Sequence, residues 1–328
     1  MNNTFHDKDL NDKSFLVTGG AGFIGSHIAE YLLKNGAKKV RVLDNMVNGF
    51  QSNLDLLKEY SSFEFLEGDI RNLETCNKAC NGIDYVTHQA ALGSVPRSIK
   101  EPQITNDVNV GGFVNILKAS VDNNIKRFVY ASSSSVYGDE PTLPKKEERI
   151  GNCLSPYAVS KRVDEMYAQV FADVYKIPLI GLRYFNIFGP RQDPEGPYAA
   201  VIPLFVKGII NKTPVYINGD GEQTRDFTFV ENAVQVNIKA ILTDNKVAVN
   251  KIYNVAVGEN FSINYVYHAI KKYLSSEHKA VYRKPRAADV RNSLADISLV
   301  KNLLGYQPTT KFEEGLKETI KYFKNLYS

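Results

Sequence analysis

The stretch Ser14-Phe15-Leu16-Val17-Thr18-Gly19-Gly20-Ala21-Gly22-Phe23-Ile24-Gly25 decides how the rest of the chain is read. Its first five residues have the character of a short buried strand, and Ser26 to Asn35 carry the apolar stripe of an amphipathic helix. The glycines between them permit a tight turn and a close approach of backbone to a pyrophosphate at the helix N-terminus. This predicts a dinucleotide site with Gly19, Gly22, Phe23, Ile24 and Gly25 against the cofactor. The next strand, Lys39 to Leu43, ends in Asp44-Asn45. A carboxylate at Asp44 binds both hydroxyls of an adenosine ribose and repels a 2′-phosphate, so NAD is favoured over NADP.

Further strands follow at intervals. Phe63 to Leu66 leads into Gly68-Asp69-Ile70, where Asp69 is expected to meet the adenine amino group. Tyr85 to Thr87 leads into His88-Gln89-Ala90-Ala91, with small alanines where backbone passes a cofactor and His88 read as a packed strand-end histidine. A long helix is expected from Gln103 to Asn123, then strands Arg127 to Ala131 and Leu179 to Tyr184. Strands alternating with helices predict an α/β, doubly wound parallel sheet, whose ligands bind outside the carboxyl ends of the strands. The turn glycines, Asp44, Asp69, Ala90 and Ser133 all fall at such ends.

Past the fifth strand come Ser132 to Ser135, Val136-Tyr137-Gly138 and then Ser155-Pro156-Tyr157-Ala158-Val159-Ser160-Lys161. Pro156 after a serine suits a helix start. Tyr157 and Lys161 then share one helix face, the spacing by which a cation favours a phenolate. Beyond Tyr184 the texture changes to a loop rich in Gly and Pro, a helix (Ala199 to Asn211), a short strand (Val215 to Ile217) and a helix (Val230 to Leu242). The reading is a polar tail over 1–13, a nucleotide domain over 14–184 to which helix 230–242 returns, and a smaller α/β substrate lobe from 185–229 and 243–328. Arg225, Arg286 and Arg291 lie in turn-like contexts of that lobe, where guanidinium forks suit a pyrophosphate.

Composition narrows the classes. The 328 residues are 43% hydrophobic and 23% charged, ordinary for a soluble globular protein. No apolar run approaches the ~20 residues of a membrane span, and the N-terminus lacks a signal-peptide core. A net charge of +4 with both signs scattered gives no nucleic-acid surface. Three cysteines without Cys-x-x-Cys and five scattered histidines argue against a disulfide framework or a metal site and fit a reducing cytoplasm.

Taken together, the glycine turn, Gly68-Asp69-Ile70-Arg71, the Ser132 to Gly138 run, Tyr157-x-x-x-Lys161 and Arg183-Tyr184-Phe185-Asn186 resemble the extended short-chain dehydrogenase/reductase family. Gly93-Ser94-Val95-Pro96-Arg97-Ser98, Pro197 to Pro203 and Arg286 to Ser293 bring it nearest the nucleotide-sugar 4-epimerases, in the branch acting on UDP-N-acetylglucosamine. The resemblance implies that Ser133 is the catalytic serine, that Tyr157 is the acid/base and that Lys161 supports it and holds the nicotinamide ribose. It adds Asn109 and Tyr184 to a cofactor site already drawn from Asp44, Asn45, Asp69, Ile70, Gln89, Ala90 and Ala91. It implies that Asn186, Ala200, Val201, Tyr216, Arg225, Arg286 and Asp289 hold UDP, while Gly93, Ser94, Ser134, Ser135, Asn186 and Gln192 surround the sugar. It also implies a homodimer built on the helix Gln103 to Asn123 and the Tyr157 helix.

Departures from sister reactions are informative. Sugar-nucleotide 4,6-dehydratases typically carry Thr-Asp-Glu where this chain has Ser133-Ser134-Ser135, and UDP-glucuronate decarboxylases typically have Glu at Ser135. Hydroxyls cannot do carboxylate acid/base work near pH 7, so inversion at carbon 4 is the expected reaction. Ser293, where hexose epimerases carry a bulky Tyr, is expected to leave room for an N-acetyl group. A UDP-uronic acid, N-acetylated or plain, is the alternative substrate, and a carboxylate at carbon 6 would need a cationic or donor-rich partner such as Arg97, Gln192 or the serines. An oxidoreductase or lyase of the same fold, and a non-catalytic NAD sensor, are the alternatives of other classes.

Overall fold

A computed structural model describes residues 4–195, 199–285 and 290–327. Seven strands form one parallel sheet: β1 (Ser14–Thr18), β2 (Lys39–Asp44), β3 (Phe63–Glu67), β4 (Tyr85–His88), β5 (Arg127–Ser133), β6 (Leu179–Tyr184) and β7 (Lys251–Val255). Their order is β7-β6-β5-β4-β1-β2-β3, so the chain reverses direction between β1 and β4. In a doubly wound sheet that reversal opens the ligand crevice. β7 lies within 243–328, the stretch assigned above to the lobe. It pairs with β6 in parallel register (Tyr253 opposite Leu182), so this part of the assignment is corrected.

Side-chain alternation along the strands feeds a core on each face of the sheet. Phe15, Val17, Val40 and Val42 pack with the helices Phe23–Lys34 and Val230–Leu242. Leu16, Leu43, Val86 and Phe128 pack with Phe113 and Phe171 on the other side. A third core, including Phe188, Phe205, Phe227, Phe312 and Phe323, belongs to the C-terminal lobe, where helices Val201–Ile210, Ile263–Tyr273 and Phe312–Tyr327 meet. No helix among the described residues is long and apolar enough to cross a membrane.

Two local features differ from the expected pattern. The helix expected over Gln103 to Asn123 is Pro102–Asn106 and Gly112–Asp122 joined by a π turn, Asp107–Gly111. Asn109 within that turn is buried and reaches Leu92 and Ser160, tertiary bonds that a sequence pattern does not report. The helix after the glycine turn begins at Phe23, not Ser26, which sets its free N–H groups directly beside the crevice.

One buried network fixes the elements around the crevice. Arg183, 1% exposed at the end of β6, donates from Nε and Nη2 to the two Glu165 oxygens at 2.8 and 2.9 Å. Its Nη1 bonds the Tyr137 hydroxyl at 3.0 Å and the Glu147 carbonyl at 2.9 Å. Ser132 donates to Glu165 at 2.7 Å, and Tyr137 donates to Asn254 Oδ1 of β7 at 2.6 Å. Breaking one side of such a pair strands a buried charge. Glu165→Ala is therefore expected to lower unfolding free energy by about 3–5 kcal/mol. Urea titration of the variant against the parent measures it, and a loss below about 1 kcal/mol would contradict the role given to the pair.

Candidate active site

The crevice at the carboxyl ends of the strands is a cleft of about 620 Å³. At its centre the glycine turn passes the β4 end at close range. Gly19 has φ +67°, and a Cβ there would lie 2.7 Å from the Ala90 nitrogen. A Cβ on Gly25 would lie 2.2 Å from the Gly19 carbonyl oxygen. Only glycine satisfies both positions, and the space so kept suits a pyrophosphate over a helix N-terminus. Gly22, Phe23 and Ile24 line the same end of the cleft, and Gln89, Ala90 and Ala91 line the facing wall.

Asp44 and Asn45 line the cleft at the end of β2. Asp44 is nearly buried and accepts one backbone N–H on each oxygen, from Ala21 at 3.0 Å and Met46 at 2.9 Å. Burial pushes its carboxyl above the usual carboxylate range, against the pull of those two bonds. Its remaining lone pairs are what a ribose diol needs. Ile70 also lines the cleft; Asp69 does not, and Arg71 does. Arg71 donates to Asp69 from Nε at 3.0 Å and Nη2 at 2.8 Å, and Asn45 adds a third bond at 2.9 Å. Those bonds, led by the Arg71 side chain, hold the Asp69 carboxyl down at about 2. The Asp69 carboxylate is thus held by Arg71 and Asn45 at the edge of the cleft. Asn109 also stands outside the lining. It accepts from the Leu92 N–H at 2.8 Å and donates to Ser160 at 3.0 Å, so it props the wall from behind. His88 is buried against Thr18 at 2.7 Å, and burial pushes its imidazole down to about 3, leaving a neutral packed histidine.

The inner end of the cleft holds Ser133, Ser134, Tyr157, Lys161, Tyr184, Asn186 and Gln192. Ser155 caps the helix Pro156–Tyr175 by accepting from the Ala158 N–H at 3.1 Å, with Pro156 in the first turn. This puts Tyr157 at the helix start, lining both the cofactor cleft and a neighbouring cavity. Lys161 is 2% exposed and donates to the Ala131 carbonyl at 3.0 Å. Tyr184 donates to Gln89 at 3.0 Å and accepts from Asn237 at 2.7 Å; burial drives its phenol well above the ordinary range. Asn237, on the helix Val230–Leu242, also receives Thr87 and Gln89. No motif in the sequence marks it.

The neighbouring cavity, about 250 Å³, is lined by Ser133, Ser134, Ser135, Tyr157, Asn186, Arg225 and Ser293, with Lys145. No Asp or Glu is among its described lining residues. Ser133 Oγ accepts from the Ser135 N–H at 3.1 Å, which leaves the Ser133 proton free to donate. Ser135 Oγ and Gln192 Oε1 are buried with no hydrogen-bond partner among the described residues. A third cavity, about 390 Å³, gathers Asn186, Ala200, Val201, Tyr216 and Arg225 with Phe205, Phe227 and Gln223. Asn186 touches all three spaces. Gly93 lines the cofactor cleft, and the Ser94 hydroxyl caps the helix Val95–Lys100 by accepting from the Arg97 N–H at 3.1 Å, which leaves its own proton free to donate. Arg286 and Asp289 lie outside the described residues. The Arg291 fork grips Asp220 at 2.8 Å on both arms, so the pyrophosphate expectation for Arg291 gives way to a surface ion pair. Lys145 escaped the sequence reading because it sits in an unpatterned loop.

Residues 15–256 match the model of the "NAD dependent epimerase/dehydratase family". A putative UDP-glucose 4-epimerase of Methanocaldococcus jannaschii is 37% identical over 313 residues, covering 94% of this chain and 98% of that protein. Among solved structures, the UDP-N-acetylglucosamine 4-epimerase from Methanobrevibacter ruminantium in complex with UDP-N-acetylmuramic acid is 39% identical. Its TM-score is 0.91, covering 96% of this chain and 99% of that one. The UDP-glucuronic acid 4-epimerase from Bacillus cereus in complex with UDP-glucuronic acid and NAD is 32% identical, with a TM-score of 0.90, covering 96% of this chain and 100% of that one. By the extent of these matches and by its glycine-turn cleft, the chain belongs to the NAD dependent epimerase/dehydratase family.

Proposed function

We propose that this protein is an NAD-dependent UDP-sugar 4-epimerase acting on an N-acetylated hexosamine, interconverting UDP-N-acetylglucosamine and UDP-N-acetylgalactosamine. The observation that carries the reading is the hydroxyl-lined cavity beside the cofactor cleft. It holds Ser133, Ser134, Ser135, Tyr157 and Ser293, without a carboxylate among its described lining residues. Elimination and decarboxylation need a carboxyl acid or base there in addition to the tyrosine; inversion at carbon 4 does not.

The bound nicotinamide supplies a hydride acceptor that later returns the hydride. Tyr157 takes the proton of the carbon-4 hydroxyl while Ser133 donates a hydrogen bond to the same oxygen. Lys161, fixed by the Ala131 carbonyl, lines the same cleft and presents its ammonium to the nicotinamide ribose. The UDP cavity, with Arg225, Tyr216 and the amide of Asn186, anchors the nucleotide while the 4-keto sugar turns over among the serines. Tyr157 then returns its proton to the carbon-4 oxygen, with the opposite face of the turned sugar now toward the hydride source. Ser293, nearly buried in the cavity wall, presents a small side chain, which supports an N-acetylated substrate over a plain hexose. Val159, Met166, Val170 and Val174 form an exposed apolar line along the helix Pro156–Tyr175, which supports pairing of two copies through this face.

A second reading, a UDP-N-acetylhexosaminuronate, is favoured by Lys145. This residue is 5% exposed and lines the sugar cavity, and its ammonium bonds the Glu140 carbonyl without forming a salt bridge among the described residues. A carboxylate at carbon 6 would give it a counter-charge.

Purified protein incubated with UDP-N-acetylglucosamine without added NAD should yield UDP-N-acetylgalactosamine by proton NMR. Absence of any converted UDP-sugar, while NADH builds up from added NAD, would refute the epimerase reading. Tyr157→Phe should lose about 10²–10⁴-fold in kcat yet keep its cofactor, and release of NAD from that variant would contradict its assignment. Ser293→Tyr should lower kcat/KM for N-acetylated over plain hexose substrates by about tenfold or more. Lys145→Met should impair only the uronate. Equal effects on both sugars in either variant would remove that residue from the specificity account.

A further inference from the structure

Behind the Tyr157–Lys161 pair lies a carboxylate that the reaction above does not use. Asp164 is one helical turn from Lys161 on the helix Pro156–Tyr175, and its side chain is 0% exposed. Its Oδ2 lies 3.2 Å from Lys161 Nζ, whose own side chain is 3% exposed. Its Oδ1 is buried with no hydrogen-bond partner among the described residues. An ammonium has three protons to donate. Two are held here by the Ala131 carbonyl and Asp164, which leaves one for the cleft that Lys161 lines.

We propose that Asp164 is a positioning residue that clamps the Lys161 ammonium from behind and, through its negative charge, biases the site toward the oxidised, positively charged nicotinamide. The inference rests on the reading of Lys161 given above. An epimerase gains from such a bias, because hydride must leave the cofactor again at each turnover. Lys161 alone would add a buried cation beside a cationic ring and pull the cofactor toward its neutral, reduced form. Asp164 cancels that field from within the same low-dielectric layer, where screening is weak.

The charges around Asp164 make it the adjustable member. Glu165, next on the helix, is engaged by Arg183 of β6 and by Arg162. Tyr130 of β5 is a buried phenol whose ionisation is driven well above the ordinary range, and His88 of β4 is neutral. Asn109 and Ser160, at the contact with the adjoining π turn, carry no charge. Burial lifts the Asp164 carboxyl to about 7, against the opposing pull of Lys161. Being raised, it is ionised above that pH and neutral below it, so the bias toward oxidised cofactor fades as pH falls through about 7.

The test is a redox titration of the bound cofactor in holoenzyme, read by NADH fluorescence against a soluble couple of known potential, with no sugar present. At pH 8, Asp164→Asn should hold a bound NADH:NAD ratio about tenfold above the parent, about 30 mV for a two-electron couple. The two proteins should converge at pH 6. Asp164→Ser, which also removes the charge, should behave as Asn does, and thermal melting checks that both fold. Equal ratios at pH 8, or cofactor loss with an unchanged ratio in what is retained, would overturn the proposal. A shifted ratio in a protein that epimerises no UDP-sugar would uphold this inference while refuting the function proposed above.

Discussion

The arrangement of the site depends on one buried ion pair, Arg183 with Glu165. Arg183 is the penultimate residue of β6, just before Tyr184, while Glu165 lies one turn past Lys161 on the helix Pro156–Tyr175. Glu165 also receives Ser132, the residue before Ser133. A single carboxylate therefore registers a helix against two strand ends and sets the serine, tyrosine and lysine at fixed mutual positions. Buried pairs contribute little net stability once desolvation is counted, but their geometry is exacting. Here each guanidinium nitrogen has an acceptor, which ties the helix to the end of β6 and to Tyr137.

Much of this was legible in the sequence where short-range chemistry dictates the outcome. The strand–glycine turn–helix order, Asp44 at a strand end and the Tyr157–Lys161 spacing all follow from local rules, and the structure brings these residues to one cleft. Tertiary competition hid the rest. The ion pair that Asp69 makes with Arg71, two residues on, has no signal in the strand-end pattern. Asn109 reads as part of an ordinary helix, yet its amide requires a π turn to reach Leu92. Arg291 reads as a phosphate fork until Asp220 meets it across 71 residues of chain. Lys145, Asp164 and Asn237 have no sequence signature, because their importance lies entirely in what folds against them.

The three cavities divide the work by chemistry. The glycine end of the cleft offers backbone and the Asp44 carboxylate, the cavity around Tyr216 and Arg225 offers aromatic rings and a guanidinium, and the cavity around Ser133 to Ser135 offers hydroxyls. On the function proposed above, tight recognition falls at the two ends of a long ligand pair, and short hydroxyl donors occupy the middle. Asn186, with φ +37°, stands where the three spaces meet, and its amide donates to the Asp226 carbonyl. Its conformation is held by the lobe, which couples the two halves at the reacting centre.

Asn237 carries a consequence for how such a chain can be rearranged. It lies 53 residues after Tyr184, yet its amide bonds that hydroxyl and also receives Gln89 and Thr87. The nucleotide half is completed by β7 as well, whose Asn254 receives the Tyr137 hydroxyl. The two halves are therefore interwoven along the chain, and no single cut separates them. A chimera joining the first 184 residues to a foreign lobe would sever the cofactor wall from its own support. The sugar cavity is itself drawn from both parts of the chain, Ser133 to Ser135 and Lys145 from the first and Arg225 and Ser293 from the second, so exchanging one part leaves half of its wall behind.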